Sequence, residues 1–187
     1  MISPLEIAAN AVMTVSIVLA GRNIVHSWWL GIIGCSLFAI LFYDVRLYAD
    51  VVLQLFFIAT CAIGWVQWLR GAKGKPLPIT RVNLRALGAM VAAGMAATVV
   101  YGLLLHTFTS AYAPFIDSTV LVFSIIAQLL LMGRRLETWA FWLLVNTVAV
   151  PLYASRGLYL TAVLYGAYWI NAVVSWGWWR VQMRRTA

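Results

Sequence analysis

Trp139, Trp142, Asn146 and Tyr153 lie in one apolar run, spaced i, i+3, i+7 and i+14. That spacing brings them to one face of a helix. Hydrocarbon offers no partner to an indole N–H, a carboxamide or a phenol, so the grouping marks a lining rather than a lipid-facing surface. Pro151 falls in the same run. It has no N–H to donate to the Thr147 carbonyl, which frees one backbone acceptor at membrane depth. Two indoles, a carboxamide and a free carbonyl can hold a flat, polar, aromatic solute. Gln54, Gln128 and Asn171 are further polar side chains within apolar runs. Each taken singly reads as an interhelical hydrogen bond; taken with the helical face above, they complete the candidate binding set.

The elements that position these residues follow from composition. The chain has 187 residues, 64% hydrophobic and 10% charged, where a soluble domain carries about a quarter charged. This is the signature of an all-α membrane protein with a single integral-membrane domain over 1–187. Seven spans are expected, over about 4–21, 27–43, 49–69, 84–106, 117–133, 138–154 and 158–180. Ser3-Pro4-Leu5-Glu6 reads as a capping box opening the first. No basic n-region precedes that helix, so it is expected to stay in the mature protein rather than leave as a signal peptide. The net charge of +8 taken alone would suit nucleic acid, but its placement points to topology. The connections after the odd-numbered helices hold Arg22, Arg70, Lys73, Lys75, Arg81, Arg85, Arg134, Arg135, Arg180, Arg184 and Arg185; the opposite side has only Arg46 and Arg156. The positive-inside rule then puts the C-terminus in the cytoplasm and the N-terminus outside. Trp28, Trp29, Trp176, Trp178 and Trp179 lie near helix ends and are expected to be interfacial anchors.

The two ends of the chain repeat each other at a constant offset. Leu47-Tyr48 returns as Leu158-Tyr159, Val52-Leu53 as Val163-Leu164, Trp65 and Trp68 as Trp176 and Trp179, and Trp28 as Trp139. Gly21-Arg22 returns as Gly133-Arg134, one position further along. Repeat 1 (about 4–69) thus matches repeat 2 (about 117–180), with a linker helix at about 84–106. An offset of four helices keeps both triplets in one orientation, a 3+1+3 arrangement of two parallel three-helix repeats as in SWEET-type carriers. Gly88, Ala92 and Ala96 on the linker helix suit close helix contact. Cys35 takes the place of Asn146, Gly31 that of Trp142 and Gln54 that of Tyr165. Similar scaffolds with different polar residues suit one asymmetric solute between two half-sites.

The remaining chemistry is sparse. Cys35 and Cys61 lack metal or redox spacing and read as small buried hydrophobes. His26 and His106 fall on opposite sides of the membrane. No nucleophile has a base beside it and no G-x-x-x-x-G-K is present, so neither catalysis nor a nucleotide, metal or other cofactor is expected. Asp44, Asp50, Asp117 and Glu137 sit at helix ends rather than deep in spans, which favours an uncoupled facilitator. Asp50 and Asp117 stay open as coupling groups.

Trp139-x-x-Trp142-x-x-x-Asn146 in the sixth of seven helices resembles the signature of PnuC-type vitamin transporters. So do Leu53-Gln54-Leu55-Phe56-Phe57 followed by Gly64-Trp65, and Pro114-Phe115-Ile116-Asp117-Ser118. The resemblance runs from about Ile17 to Trp179. It implies a homotrimer in the bacterial inner membrane, in contact with lipid and not with nucleic acid. It also implies facilitated diffusion of nicotinamide riboside towards NAD synthesis, with trapping by a cytoplasmic riboside kinase. Relatives carry thiamine or riboflavin. A substrate-capture subunit of a larger complex and a membrane enzyme are the other classes open to such a chain, the latter without a credible catalytic group.

The charge asymmetry makes a direct prediction. A C-terminal reporter that is active only in the periplasm stays silent when fused after Arg185, and one active in the cytoplasm reports strongly. Strong periplasmic activity reverses the side of every loop.

Overall fold

In a computed structural model the chain is described over residues 4–44, 48–71, 77–109, 113–157 and 159–186, with side chains 48–50 and 186 outside that description. Ser3, the expected first cap, and the side chain of Asp50 therefore fall outside it, as do Arg46, Lys73 and Lys75. Seven helices follow in order: α1 Pro4–Gly21, α2 His26–Asp44, α3 Tyr48–Arg70, α4 Leu84–Phe108, α5 Pro114–Met132, α6 Thr138–Ser155 and α7 Tyr159–Thr186. The first six are long and apolar enough to cross a membrane. Helix α7 falls short of that apolar composition because its tyrosines, tryptophans and Asn171 dilute the run. It also continues past position 180 through Arg184 and Arg185, since no glycine or proline stops it there. Helix α5 begins at Pro114 rather than at 117. Pro114 stands at the first helical position, where a missing N–H costs nothing. Helix α4 is capped by Asn83, whose side chain accepts from the Ala86 N–H at 2.7 Å.

The chain divides into two compact units, one of Met1–Pro78 with Gln182–Ala187 and one of Ile79–Val181. In the first, α1 packs on α2 and α2 on α3; in the second, α4 packs on α5 and α5 on α6. The core of the second unit gathers Phe123, Ala127, Leu130, Phe141 and Val145, with Phe123 and Phe141 stacked at 5.9 Å.

The internal geometry of the first unit recurs in the second at the offset that relates Trp28 to Trp139. In the first, Trp28 meets Trp68 edge-on with ring centroids 5.2 Å apart; in the second, Trp139 meets Trp179 edge-on at 5.4 Å. Ser16 donates to the Ser27 carbonyl at 2.7 Å, and at the equivalent positions Thr138 donates to the Ala127 carbonyl at 2.8 Å, with donor and acceptor exchanged between helices. The turns agree too: Asn23 and Arg134 both have positive φ, 61° and 47°. The same register therefore holds through the turn, and the Gly21-Arg22 match to Gly133-Arg134 is one position out.

These contacts correct two expectations. Trp28 and Trp179 are not interfacial anchors: both are buried within the protein, 2% and 0% exposed. A helix end near the interface does not oblige a tryptophan to face lipid when a neighbouring helix offers another indole. Trp29 and Trp178 do face outwards, and Trp29 donates to His26 Nδ1 at 2.9 Å. Secondly, Gly88, Ala92 and Ala96 are exposed. The face of α4 that packs is Gly94, Thr98 and Gly102. A Cβ on Gly94 would meet Ile126 at 2.9 Å, and one on Gly102 would run into the Phe115 ring.

Segment 79–83 is tied to the α5–α6 turn. Thr80 donates to the Arg134 carbonyl at 3.1 Å and accepts from the Leu136 N–H at 2.9 Å. Arg135 Nη1 donates to Thr80 Oγ1 at 2.7 Å, and the Val82 N–H donates to the Glu137 carboxylate at 3.0 Å. Burial pushes the Arg134 guanidinium down to about 10, so it is still a cation at neutral pH.

Gly64 tests the packing of the first unit. A Cβ there would lie 2.6 Å from two atoms of the Trp28 ring, and that ring is itself buried against Trp68. Gly64→Ala is expected to lower stability in detergent by about 1–3 kcal/mol, the usual cost of overpacking. Gly88→Ala, in open space, is expected to be neutral or to stabilise by up to about 1 kcal/mol through helix propensity. Thermal unfolding of both variants decides; equal shifts refute the seam.

Candidate functional site

Helix α6 carries the expected face. Trp139 and Asn146 are buried, 3% and 4% exposed, and lie two turns apart. Trp142 between them is half-buried and leans on the Phe123–Phe141 core, so part of its ring serves packing. Trp139 is held by Trp179 of α7, and its Nε1–H is buried with no acceptor among the described residues. An unpaired buried donor costs about 1–3 kcal/mol. The equivalent Nε1–H of Trp28 in the first unit is likewise buried with no acceptor among the described residues.

At the far end of the same face, Tyr153 is half-buried and its ring meets Tyr165 of α7 at 4.9 Å; Tyr165 in turn meets Tyr168 at 5.7 Å. Gln128 on α5 is buried and Asn171 on α7 is half-buried. Gln54 is half-buried in the first unit. The structure thus joins Trp139 to Trp179, and Tyr153 to Tyr165 and Tyr168. Tyr165, Tyr168 and Trp179 are absent from the set that the sequence suggests. The signal for Trp179 is the repeat: the step that carries Trp28 to Trp139 also carries Trp68 to Trp179.

The freed carbonyl does not join this face. It belongs to Thr147, which is exposed, as is Pro151 itself. Thr147 Oγ1 donates to the Leu143 carbonyl at 2.7 Å and accepts from Trp169 Nε1 at 3.1 Å, a further link between α6 and α7. Asp117, one of the two acidic side chains considered for coupling, is engaged: Arg156 Nη2 donates to both its carboxylate oxygens at 2.9 and 2.7 Å. That pair ties the start of α5 to the end of α6.

A family profile described as "Nicotinamide mononucleotide transporter" matches residues 3–181. The chain belongs to that family. Its members are transporters rather than enzymes, and the chain is accordingly a multi-pass membrane protein. It is similar to the nicotinamide riboside transporter PnuC of Escherichia coli (strain K12), 27% identical over 173 residues, covering 79% of this chain and 72% of that one. PnuC of Neisseria mucosa is 32% identical over 145 residues, 74% of this chain and 55% of that protein. The riboflavin/roseoflavin transporter RibM of Streptomyces davaonensis is 34% identical over 130 residues, 65% of this chain and 60% of that protein. A crystal structure of the vitamin B3 transporter PnuC aligns with a TM-score of 0.77 at 27% identity, covering 96% of this chain and 82% of that one. The PnuC-type fold inferred from the tryptophan motif is thereby established.

The Asp117–Arg156 pair can be weighed. The side chains of Arg156 and Asp117 are 29% and 26% exposed, so solvent screens much of their attraction, and a contribution of up to about 1 kcal/mol is expected. Asp117→Asn and Arg156→Gln, alone and together, should show a coupling of that size by thermal unfolding. A coupling several times larger would make the pair a main lock of α5 on α6.

Proposed function

We propose that this protein carries nicotinamide riboside across the bacterial inner membrane by facilitated diffusion. The observation that carries the reading is the buried, acceptor-less indole N–H of Trp139 on the same face of α6 as Asn146. Nicotinamide riboside brings a cationic pyridinium ring, which an indole face attracts. Its carboxamide supplies an acceptor for an N–H and a donor for Asn146 or Gln54. The Trp139-x-x-Trp142-x-x-x-Asn146 spacing and the similarity to two riboside transporters support the same cargo. Gln54, Gln128, Asn171 and Tyr153 complete the proposed binding set. The N-terminus lies outside and the C-terminus in the cytoplasm, following the basic residues. The working form is a homotrimer, and a cytoplasmic riboside kinase traps the product.

Riboflavin is the second reading, favoured by the 34% identity to RibM. It too is a flat heterocycle joined to a hydroxylated five-carbon arm, but it is larger and neutral. Thiamine shares only the cationic ring. A capture subunit would need an ATPase partner and would move nothing alone.

Among the described residues no acidic side chain lies deep in a span, and Asp117 is held by Arg156. The carrier then has no source of free energy beyond the solute gradient. In liposomes containing only this protein, nicotinamide riboside equilibrates and stops, and a proton or sodium gradient leaves the plateau unchanged. Enclosing a riboside kinase with ATP raises the total label. Trp142→Ala slows entry and weakens binding about tenfold or more, in line with roughly 1–3 kcal/mol per stacked base, whereas Trp178→Ala has little effect. Accumulation of unmodified riboside above the outside level under an ion gradient defeats the uncoupled reading. Equal entry of riboflavin and exclusion of the riboside moves the assignment to the second cargo.

A further inference from the structure

Three tyrosines gather where α6 ends and α7 begins. Tyr153 meets Tyr165 with ring centroids 4.9 Å apart, and Tyr165 meets Tyr168 at 5.7 Å. The ordinary reading of tyrosines near helix ends is an interfacial belt facing the headgroups. Tyr159 fits that description at 71% exposed. The trio does not: all three are half-buried and turn their rings on one another across two helices.

Their equivalents in the first unit are Phe42, Gln54 and Phe57. Only the second unit carries phenols here, so the cluster is no requirement of the scaffold. Asn146 and Tyr153 lie two turns apart on one helical face, about 10 Å along the axis at 1.5 Å per residue, a span that a nucleoside bridges. A phenol donates one hydrogen bond and accepts through two lone pairs, which suits a partner that both donates and accepts. Sugar hydroxyls are such partners. Aromatic and amide groups stand at one end of the face and hydroxyl groups at the other. A flat heterocycle with a polyhydroxylated arm has the same division.

We propose that Tyr165, supported by Tyr153 and Tyr168, binds the hydroxyls of the cargo's five-carbon arm. This rests on the riboside reading above and adds the end of the site that selects for the sugar. It makes the α6–α7 tyrosines specificity-determining residues: a free base lacking the arm forgoes these bonds, and an arm without hydroxyls leaves the phenols with nothing to exchange.

The test pairs a protein change with a ligand change. Nicotinamide riboside and its 2′,3′-dideoxy analogue are titrated by calorimetry against the purified wild-type chain and against Tyr165→Phe, Tyr153→Phe and, as a control, Tyr159→Phe. For the wild type, removing the hydroxyls weakens binding. Tyr165→Phe weakens binding of the riboside about five- to tenfold, the worth of one or two hydrogen bonds, and leaves affinity for the dideoxy analogue unchanged. Tyr159→Phe alters neither. A loss shared equally by both ligands means a structural role for the cluster and overturns the inference, as does no loss for either. If the wild type binds neither ligand, the riboside reading fails and the inference with it. Binding of both ligands with no dependence on Tyr165 or Tyr153 sinks the inference alone.

Discussion

Hydrocarbon solvates no hydrogen-bonding group, and the architecture depends on how each polar side chain at depth meets that constraint. Many hydroxyls return to their own helix. Thr14 donates to the Asn10 carbonyl, Ser36 to Ile32, Ser118 to Pro114, Ser124 to Val120 and Thr147 to Leu143. These bonds cost little and commit the side chain to no neighbour. Fewer cross between helices. Ser16 on the Ser27 carbonyl and Thr138 on the Ala127 carbonyl each fasten the first two helices of a triplet, where the alternative is an unsatisfied group in a medium without water. What is left stands out: among the described residues the indole N–H groups of Trp28, Trp139 and Trp176 are buried without an acceptor. In a soluble protein a water would serve. Within a span, the candidates are a cavity water or the transported solute.

The apolar runs make the helices legible in the sequence, because a span needs length and composition more than pattern. Boundaries are legible where a specific residue marks them, as at Asn83, and less so at Pro114, where the residue that opens α5 also reads as a loop. The tryptophans divide. Trp29 and Trp178 face outwards as their positions suggest; Trp28 and Trp179 do not, since position along a helix gives depth but not direction. Direction needs the partner, and Gly64 is what admits the Trp28 ring. The small-residue face of α4 is ambiguous for a related reason: Gly88, Ala92, Ala96 and Gly94, Thr98, Gly102 have the same spacing, and only the rings on α5 choose between them. Trp139 and Asn146 stand out in the sequence because polar groups sharing a face inside a span are hard to account for by packing alone. Tyr165 and Tyr168 do not, because a tyrosine near a helix end is ordinarily an interfacial anchor.

Some features keep their form across the two units: the edge-on indole pairs, the Ser16–Ser27 and Ala127–Thr138 bonds, the left-handed turn residues Asn23 and Arg134. Other positions diverge. Gly31 stands where the second unit has Trp142, and a Cβ on it would lie 3.0 Å from the Cys61 sulfur and 3.3 Å from the Ser16 hydroxyl. The first unit closes up at the point where the second holds an indole. Cys35 replaces Asn146, Phe42 replaces Tyr153, Gln54 replaces Tyr165 and Phe57 replaces Tyr168.

That divergence has a physical consequence. A unit repeated without change would offer the same polar groups twice. The first unit has no counterpart of the Trp142 indole, the Asn146 carboxamide or the three phenols, although it keeps the Trp28 indole and sets Gln54 where the second has Tyr165. The internal packing of the two units stays alike while a handful of polar side chains differs between them.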